Sequence, residues 1–395
     1  MCGILGTFIV LRNMSLIGDA LSHAVLPGIF FAFLFFGYST IGFFIGSTIA
    51  GLIAGISISW IQQNVQTKND AAIGIIFTAM FAVGVMGISW LNQSEGVHLD
   101  LKDFLFGNVL GISNEDIYLT IGVAIYTLFS VILFYRYLFI TTFQPTIAET
   151  MGISAKAIHY FLMLLLSFAI VASLRTVGVI LVVAMLITPA STALLLSDRL
   201  KHVIVLSGLI GVVSAVLGLV LSIIFETTPG PAMTIVATLF YFLAVVLAPE
   251  KGLLFRYAQR RVEKKRIERE DVLRQVIKKP LDAGMAITEI ADRLQMKLSY
   301  LRHVINTMTR SRLISTVNGK VVLSSEGKAR AEQLVRAHRL WETYQVRQMG
   351  LDSDQVHDAA DQIEHFLSEE LLDEIDKELG FPSKDPHDSP IPAKR

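Results

Sequence analysis

The chain has 395 residues, of which 53% are hydrophobic, and its mean hydropathy is +0.56. This composition is too apolar for an ordinary soluble protein, which excludes a purely soluble enzyme or regulator. The formal net charge is zero, but residues 251–279 carry eleven Lys and Arg against four Asp and Glu, whereas residues 350–388 carry two against thirteen. The single cysteine, Cys2, excludes an internal disulfide and a cysteine-based zinc finger.

Apolar stretches fill the first 249 residues, and each main stretch is near the length of about 20 residues that crosses a hydrocarbon core. They lie near residues 15–36, 41–61, 71–91, 117–139, 158–174, 177–197, 203–225 and 231–248, with a stub at 3–11. We therefore expect the fold class to be an all-α polytopic membrane bundle of about eight spans plus a short N-terminal stub. The stub predicts either a short first helix or a start inside a longer natural helix.

The charges of the loops predict the orientation of these spans. If the tail after residue 250 is cytoplasmic, the acidic loop 92–116 faces outside, and the basic loops face the cytoplasm, namely those with Arg12, Lys68, 136–156 and 199–202. Positive charge is favoured on cytoplasmic loops. The sequence therefore predicts a multi-pass membrane protein whose C-terminal domain lies in the cytoplasm.

An aspartate and a histidine lie inside the first apolar stretch. Asp19 and His23 are four residues apart, so both project from one face of one helix. Such groups are costly in hydrocarbon and usually face a polar pathway or a partner. With Ser22 beside them and Pro27-Gly28 to break the helix, they could form part of a coordination shell for manganese, iron or zinc. The alternative is that Asp19 and Ser22 cap the helix while His23 makes a packing hydrogen bond.

Four strings of the apolar half form a recognisable set, in the order Leu11-Arg-Asn-Met-Ser-Leu-Ile-Gly-Asp-Ala-Leu-Ser-His-Ala-Val-Leu-Pro-Gly28, Asp70-Ala-Ala-Ile-Gly-Ile-Ile-Phe77, Leu105-Phe-Gly-Asn108 and Val177-Gly-Val-Ile-Leu-Val-Val-Ala-Met-Leu-Ile-Thr-Pro-Ala190. Over residues 1–249 the chain resembles the zinc/manganese/iron class of ATP-binding-cassette permeases. The resemblance implies a dimeric permease of a bacterial inner membrane, paired with a second copy or a paralogue. It further implies that an extracytoplasmic metal-binding protein delivers the metal, that a separate cytoplasmic ATPase drives transport, and that Asp19 and His23 are the metal ligands of the transport pathway.

The segment from Thr141 to Gly152 resembles the cytoplasmic loop of that family. By this analogy the candidates for ATPase docking are Pro145, Ala148, Glu149 and Gly152, although Gln144 stands where an aspartate is common. Family members usually have a longer first helix, so the resemblance also implies a truncated start. No Gly-x-x-x-x-Gly-Lys-Ser/Thr loop occurs in the sequence, which excludes nucleotide binding by that route. The chain is therefore predicted to be a transport subunit and not an enzyme, with ATP hydrolysed by its partner.

A soluble module follows a basic linker at residues 250–269. Two short extended pieces flank Asn318-Gly319, a strong hairpin signal, and helical patterns precede them at 270–277, 286–294 and 299–310. Three helices and a hairpin predict a winged helix-turn-helix over residues 270–326. The third helix presents a modest basic face, whose DNA-binding candidates are Lys297, Arg302, His303 and Arg310. The alternative is that this module docks a protein.

Residues 327–392 add an acidic helical module with imidazole and carboxylate groups, namely His338, Glu342, His357, Asp361, Glu364 and His365. The first two are four residues apart, and the other four recur at i, i+4, i+7 and i+8, so each group is expected to share one helix face. Such faces on adjacent helices suit a divalent transition metal. The alternative is a helix whose polar residues simply face solvent.

Three strings carry a second resemblance, over about residues 265–392. They are Ala337-His-Arg-Leu-Trp-Glu342, Val356-His-Asp-Ala-Ala-Asp-Gln-Ile-Glu-His365 and Asp385-Pro-His-Asp-Ser-Pro-Ile-Pro392. They are similar to the metal-dependent repressors of the diphtheria-toxin-repressor and manganese-repressor family. The resemblance implies metal-binding and dimerisation helices at 327–392. It gives activating-site roles to Asp271, His338, Asp361, Glu364 and His365, and it places Glu342 and His357 around a second site.

Two positions depart from the patterns of that family. Asp361 stands where iron-type members place a cysteine, and the harder oxygen ligand favours manganese over iron. Arg274 stands where manganese-type members place a glutamate ligand, which counts against a binuclear arrangement.

These patterns together predict a fused importer and sensor. The permease half would carry Mn²⁺, with Zn²⁺ or Fe²⁺ as alternatives, and the tail would respond to the metal that is delivered. Two outputs stay open, because the tail could bind operator DNA or gate the transporter from inside. The alternative is a membrane-anchored metal-dependent repressor whose permease half no longer transports, and the intact pair Asp19 and His23 counts against it.

Overall fold

The structure is a computed structural model, and it describes residues 1–66, 68–94, 107, 112–279, 284–352 and 355–394. The internal contacts divide the chain into two compact units, Met1–Arg256 and Tyr257–Arg395. We describe each unit by itself.

Helices form the N-terminal unit throughout its described residues. In chain order they are α1 (Cys2–Leu11), α2 (Leu16–Ala24), α3 (Leu26–Phe36), α4 (Thr40–Asn64), α5 (Asn69–Ser94), α6 (Asn114–Leu133), α7 (Tyr135–Phe143), α8 (Pro145–Thr150), α9 (Ala155–Leu196), α10 (Leu200–Ile224) and α11 (Pro229–Leu247). The described residues contain eight segments that are long and apolar enough to cross a membrane. Each of them coincides with one of the predicted stretches, so the predicted membrane bundle is confirmed.

The helical path of the described residues is interrupted inside or between the predicted apolar stretches at three places. The first span divides at Val25, and Pro27 lies in the first turn of α3, where a missing N–H costs nothing. The predicted break at Pro27 is therefore displaced by two residues. The stretch predicted at 117–139 divides at Phe134 into α6 and α7. In α9 the helical dihedrals are interrupted at Gly178, whose φ of 77° favours glycine, and this is near the predicted division at residues 174–177.

The short helix α1 is an integral part of the membrane bundle. It packs against α9 and α10, and the side chains of Leu5 and Phe8 are fully buried. Gly6 crosses α9 so closely that a Cβ atom there would lie 1.7 Å from the carbonyl oxygen of Leu186. The stub therefore contributes to the core, although it is too short to span a membrane.

Replacing Gly6 with alanine is expected to destabilise the N-terminal unit by roughly 1–3 kcal/mol, because the backbone of Leu186 has to move to admit a methyl group. Thermal unfolding of the full chain in detergent measures the effect as a lowered midpoint. Gly122→Ala is the matched control, since a Cβ atom there would meet no described atom within 4 Å and alanine favours a helix by about 0.5–1 kcal/mol. Equal midpoints for the two variants would contradict the close contact.

The C-terminal unit combines helices with a small sheet. Its elements are α12 (Leu253–Ile277, which begins in the N-terminal unit), β1 (Met285–Ala286), α13 (Ile287–Leu294), α14 (Leu298–Arg310), β2 (Ile314–Val317), β3 (Lys320–Leu323), α15 (Ser325–Met349), α16 (His357–Ile363) and α17 (Glu369–Glu378). From Leu253 onward, the predicted linker at 250–269 and the predicted helix at 270–277 form one continuous helix. This stretch is rich in Arg, Lys, Glu and Leu and contains no Gly or Pro between residues 253 and 277, so nothing in it interrupts a helix.

The sheet has three antiparallel strands in the order β1-β3-β2. The turn between β2 and β3 places Asn318 at φ 51° and Gly319 at φ 75°, the left-handed values that a two-residue hairpin needs. The hairpin is therefore where the sequence predicted it. The two-residue strand β1 is too short to be recognised in a sequence, and its pairing with β3 was not predicted.

Two hydrophobic clusters hold the C-terminal unit together. The apolar face of α14 packs into the first cluster, with α12, α13 and the sheet, through Leu301, Val304, Ile305 and Met308. The second cluster joins α15 to α17 through Leu340, Leu372 and Ile375. The spacing of the α14 residues leaves its other face to solvent, which is where the basic side chains lie.

Candidate functional site

Asp19 and His23 lie side by side on α2, as their spacing predicted. The Nε2 atom of His23 is 3.7 Å from Oδ1 of Asp19. The side chain of Asp19 is 49% exposed, whereas that of His23 is 18% exposed and meets the ring edges of Phe77 and Phe81, with centroids 5.3 Å away. The helix α2 thus carries the exposed carboxylate of Asp19 next to the imidazole of His23, and this imidazole packs against α5.

Ser22 does not share this open position. It is buried, and its hydroxyl donates to the carbonyl oxygen of Gly18 at 2.8 Å. Ser15 stands at the N-cap of α2, so neither Asp19 nor Ser22 caps the helix. The groups of three or more candidate metal ligands found among the described residues both lie in the C-terminal unit. Asp19 and His23 on α2 are therefore two ligand-type side chains that lie next to each other in an apolar unit.

The candidate ATPase-docking residues lie on the short helix α8 and just after it. Pro145 begins the helix, Ala148 is buried, and Glu149 is exposed. Gly152 follows the helix with a φ of 78°, which favours glycine. Two exposed apolar side chains, Ile147 and Met151, lie among them and were not predicted. The segment therefore forms a small exposed surface that is partly apolar, and its residue Ala148 is buried in the bundle.

In the C-terminal unit, two groups of ligand-type side chains meet on opposite sides of His338. On one side, Nε2 of His338 is 3.0 Å from Oε1 of Glu342 and 3.2 Å from Nδ1 of His357. That Nδ1 atom is 2.8 Å from the same Glu342 oxygen. Ligands bound to one octahedral metal at about 2.1 Å lie about 3 Å apart, so this triangle of donor atoms fits a divalent transition metal. Its members line an open cavity of about 580 Å³ together with residues 385–392 and α12.

On the other side of the ring, Nδ1 of His338 faces two carboxylates. It is 2.7 Å from Oε2 of Glu364 and 3.2 Å from Oδ1 of Asp361. A cation of the chain itself is bound to the same carboxylates, because Arg274 donates to Asp361 at 2.5 Å and to Glu364 at 3.1 Å. Both Glu364 and Arg274 are buried.

His365 lies next to this cluster but faces α12. Its Nδ1 atom is 2.7 Å from Oε2 of Glu270, and its Nε2 atom is 3.4 Å from Oδ1 of Asp271 and 3.7 Å from Oε1 of Glu364. Arg330 donates to the other oxygen of Glu270 at 2.6 Å. Glu270 thus orients the ring of His365 through Nδ1. The Nε2 atom of His365 faces Asp271 and Glu364.

Only part of the predicted common helix face exists. The helix α16 ends at Ile363 and the chain turns at residues 364–366, so His357 and Asp361 lie on α16 whereas Glu364 and His365 follow it. Glu364 reaches His338, but His365 points to α12. His357, Asp361 and Glu364 therefore meet at His338 of α15, whereas His365 meets Glu270 and Asp271 of α12.

The cluster shifts the pKa of its members in a consistent direction. Burial raises the pKa of Glu342, but hydrogen bonds from His338 and His357 lower it more, to about 2. Burial lowers the pKa of His365, but its bonds with Asp271 and Glu270 outweigh this and raise the pKa to about 9. Burial likewise lowers the pKa of His338, and Glu342 and Glu364 raise it above its usual value. The neighbouring carboxylates therefore favour the protonated forms of His338 and His365.

The basic face of α14 is solvent-exposed. Its side chains are Lys297 at the N-cap, then Arg302, His303 and Arg310 on the helix. They lie opposite the buried positions of α14, and Arg312 follows the helix on the way to β2. The candidate residues therefore form one accessible surface.

Comparisons with known proteins connect these sites to two families. A family model described as the ABC 3 transport family matches residues 1–248, more than half of the chain. The chain belongs to the ABC 3 transport family. A second model, described as the iron dependent repressor, metal binding and dimerisation domain, matches residues 324–393. This member of the ABC 3 transport family is thus a multi-pass membrane permease fused to a metal-binding domain of the repressor type, and both predicted resemblances are confirmed.

Relatives of this ABC 3 transport family member include proteins named for manganese transport. The manganese transport system membrane protein MntC of Halalkalibacterium halodurans is 46% identical over 256 residues, which cover 65% of this chain and 85% of the relative. The protein of the same name from Bacillus subtilis is 33% identical over 378 residues, 93% of this chain and 87% of the relative. Among solved structures, PsaBC from Streptococcus pneumoniae in complex with Fab matches with a TM-score of 0.57 and 40% identity, covering 63% of this chain and 87% of that one.

The structure of this ABC 3 transport family member adds residues that sequence reasoning missed. Glu270 was not a candidate, although it lies four residues after Arg266 and four before Arg274 and so shares their face of α12. That spacing is the signal that could have identified it. The string Leu105-Phe-Gly-Asn108 lies outside the described residues, apart from Gly107.

Proposed function

We propose that this permease imports manganese and that its C-terminal unit lies in the cytoplasm and responds to the same metal. The observation that carries the proposal is that carboxylate and imidazole groups are paired both on the membrane helix α2 and around His338. These donors suit Mn²⁺, and Fe²⁺ and Zn²⁺ are the alternatives because they accept the same ligands. The names of the relatives support manganese.

Asp19 and His23 are proposed to hold the ion during transport. Two protein ligands leave the other coordination positions to water or to a second permease copy, so the ion binds and leaves readily. The exposed side of the Asp19 carboxylate is the side from which such partners can approach. The second copy is either this chain again or a paralogue.

The sensor metal is proposed to bind in the cluster around His338. His338, Glu342 and His357 supply the triangle of donor atoms, and Glu364 orients the ring through Nδ1, as carboxylates do for metal-bound histidines. The remaining predicted ligands form the wall of the cluster toward α12, and they are Asp271, Asp361 and His365. A metal supplies a fixed charge that links α15 to α16 and so orders this unit.

Two protein partners are proposed from the permease half. A cytoplasmic ATPase docks on α8 around Pro145, Ala148, Glu149 and Gly152, with Ile147 and Met151 as its apolar contacts. A metal-binding protein delivers the ion from the opposite side of the membrane. ATP is hydrolysed by the first partner, so the chain itself is not an enzyme.

The C-terminal unit is proposed to be a winged helix-turn-helix joined to its metal-binding helices. The helix α14 and the hairpin β2-β3 have the order of such a fold, and the exposed basic residues of α14 suit a DNA backbone. The output is either metal-dependent binding of operator DNA or gating of transport. A membrane-anchored repressor without transport is the second candidate, and the exposed DNA-type face is the observation that favours it.

Metal uptake separates these candidates. Cells that lack the chain but keep its partner subunits are supplied with the full chain, and accumulation of radioactive manganese is followed with competing zinc or iron. The proposed importer restores uptake, and manganese competes better than the other two metals. A chain that reaches the membrane at normal levels and restores no uptake of any of these metals would leave only the repressor.

A further inference from the structure

Arg274 differs from the other members of the sensor cluster, because it cannot act as a metal ligand. Its guanidinium reaches Oδ1 of Asp361 and Oε1 of Glu364, and its side chain is only 10% exposed. A guanidinium stays protonated in proteins and donates in a planar fork that matches two carboxylates. A cation of the chain thus lies where a metal bound to Asp361 and Glu364 would lie.

The protons of His338 indicate which side of the ring a metal can use. A neutral imidazole has one N–H donor and one nitrogen lone pair. Nδ1 faces oxygens of both Glu364 and Asp361, which can only accept, so the proton remains there. When a metal displaces the proton that Nε2 donates to Glu342, the lone pair is on Nε2, where Glu342 and Nδ1 of His357 complete the triangle.

We infer that Arg274 is a resident cation that fills the position between Asp361 and Glu364, so that the cluster around His338 binds one metal ion, on the Nε2 side. Arg274 is a positioning residue, because it fixes Glu364, and Glu364 fixes the ring of His338. The inference rests on the proposed function in one respect, namely that this cluster binds metal.

Burial explains why a metal does not simply replace the arginine. Displacing the guanidinium would leave a buried cation without its two carboxylates, and unpaired buried charges are strongly unfavourable. The Nε2 side carries no such cost, since within the described ranges the partners of the Glu342 carboxylate are imidazoles, which give up protons to a metal. Arg274 therefore excludes a metal from the position between Asp361 and Glu364 and leaves the neighbouring position on the Nε2 side of His338.

Manganese titrations of the full chain in detergent test the inference, with calorimetry for the number of ions and electron paramagnetic resonance for coupling between them. Arg274→Gln is expected to bind about one ion per chain more than the parent protein, because Asp361 and Glu364 become free as ligands. The added ion shares ligands with the first, so a spin-coupled pair appears. Arg274→Lys keeps a cation at this position and is expected to match the parent.

Arg336→Gln is the matched control. Arg336 is also a buried arginine of this unit, bound to the carboxylates of Asp373 and Asp376, and in the described part of the chain no hydrogen bond or ion pair joins it to the His338 cluster. Its replacement is expected to leave the number of ions unchanged. A change there equal to that of Arg274→Gln would overturn the inference, since any lost buried arginine would then act alike.

Other outcomes also decide the matter. A spin-coupled pair in the parent protein overturns the inference, and this measurement needs no variant and so does not depend on how Arg274→Gln folds. An unchanged number of ions in folded Arg274→Gln, or a gained ion in Arg274→Lys, overturns it as well. Failure of the proposed function itself looks different, because Glu342→Gln would then lose no ion relative to the parent.

Discussion

Manganese uptake should fall to background when Asp19 or His23 is replaced with alanine. Each variant removes one of the two protein ligands proposed for the transported ion, and the pair lies 3.7 Å apart on α2. Loss of a charged or imidazole ligand is expected to weaken binding at least about 100-fold, or about 2.7 kcal/mol. The measurement is accumulation of radioactive manganese in cells that contain the partner subunits.

Asp198→Asn is the control for this experiment. Asp198 is an exposed carboxylate of the same unit that pairs with Lys251, and exposed pairs contribute little to stability. Its uptake should match the parent, and immunoblots of membranes should show equal amounts of all three variants. Normal uptake by Asp19→Ala at equal levels would remove α2 from the transport pathway.

Glu342→Gln should abolish the response of the C-terminal unit to manganese. The substitution keeps the shape of the side chain but removes the charge that His338 and His357 share, so metal affinity should fall more than about 100-fold. Two readouts follow the response in parallel. One is manganese-dependent retention of promoter DNA from the chain's own operon, and the other is the slowing of uptake after cells are loaded with manganese.

Asp376→Asn is the control, because it removes a carboxylate bound to the buried Arg336 and leaves the His338 cluster intact. If DNA binding is the output, changing Arg302 and Arg310 together to glutamate abolishes retention, since both lie on the exposed face of α14. If gating is the output, the same double variant still slows uptake. A full response in Glu342→Gln by both readouts would contradict a sensor site at His338.

Local pattern was enough to predict the membrane half. A span must be apolar over about 20 residues, so each span is visible in the sequence without knowledge of its neighbours. The spacing of Asp19 and His23 likewise predicts one helix face. The role of α1 could not be predicted, because it depends on Gly6 meeting the backbone of Leu186, which is 180 residues away in the chain.

In the C-terminal unit, the local sequence predicts the hairpin but not the contacts between the ligand groups. Asn318-Gly319 predicts its hairpin, because only left-handed residues close so short a turn. Which ligand groups face each other is decided by packing between helices far apart in sequence. The partners of His365 are an example, since Glu270 comes from α12 and no local pattern links the two. Charge composition predicts a linker at residues 250–269, and its helical conformation from Leu253 onward follows from the helix propensity of these residues.

Counting manganese ions on the purified full chain tests most directly whether both halves handle the same metal. Calorimetric titration of the parent protein should show two classes of sites. His23→Ala should remove one class and Glu342→Gln the other, and the double variant should bind neither. Retention of both classes in the double variant would contradict the account.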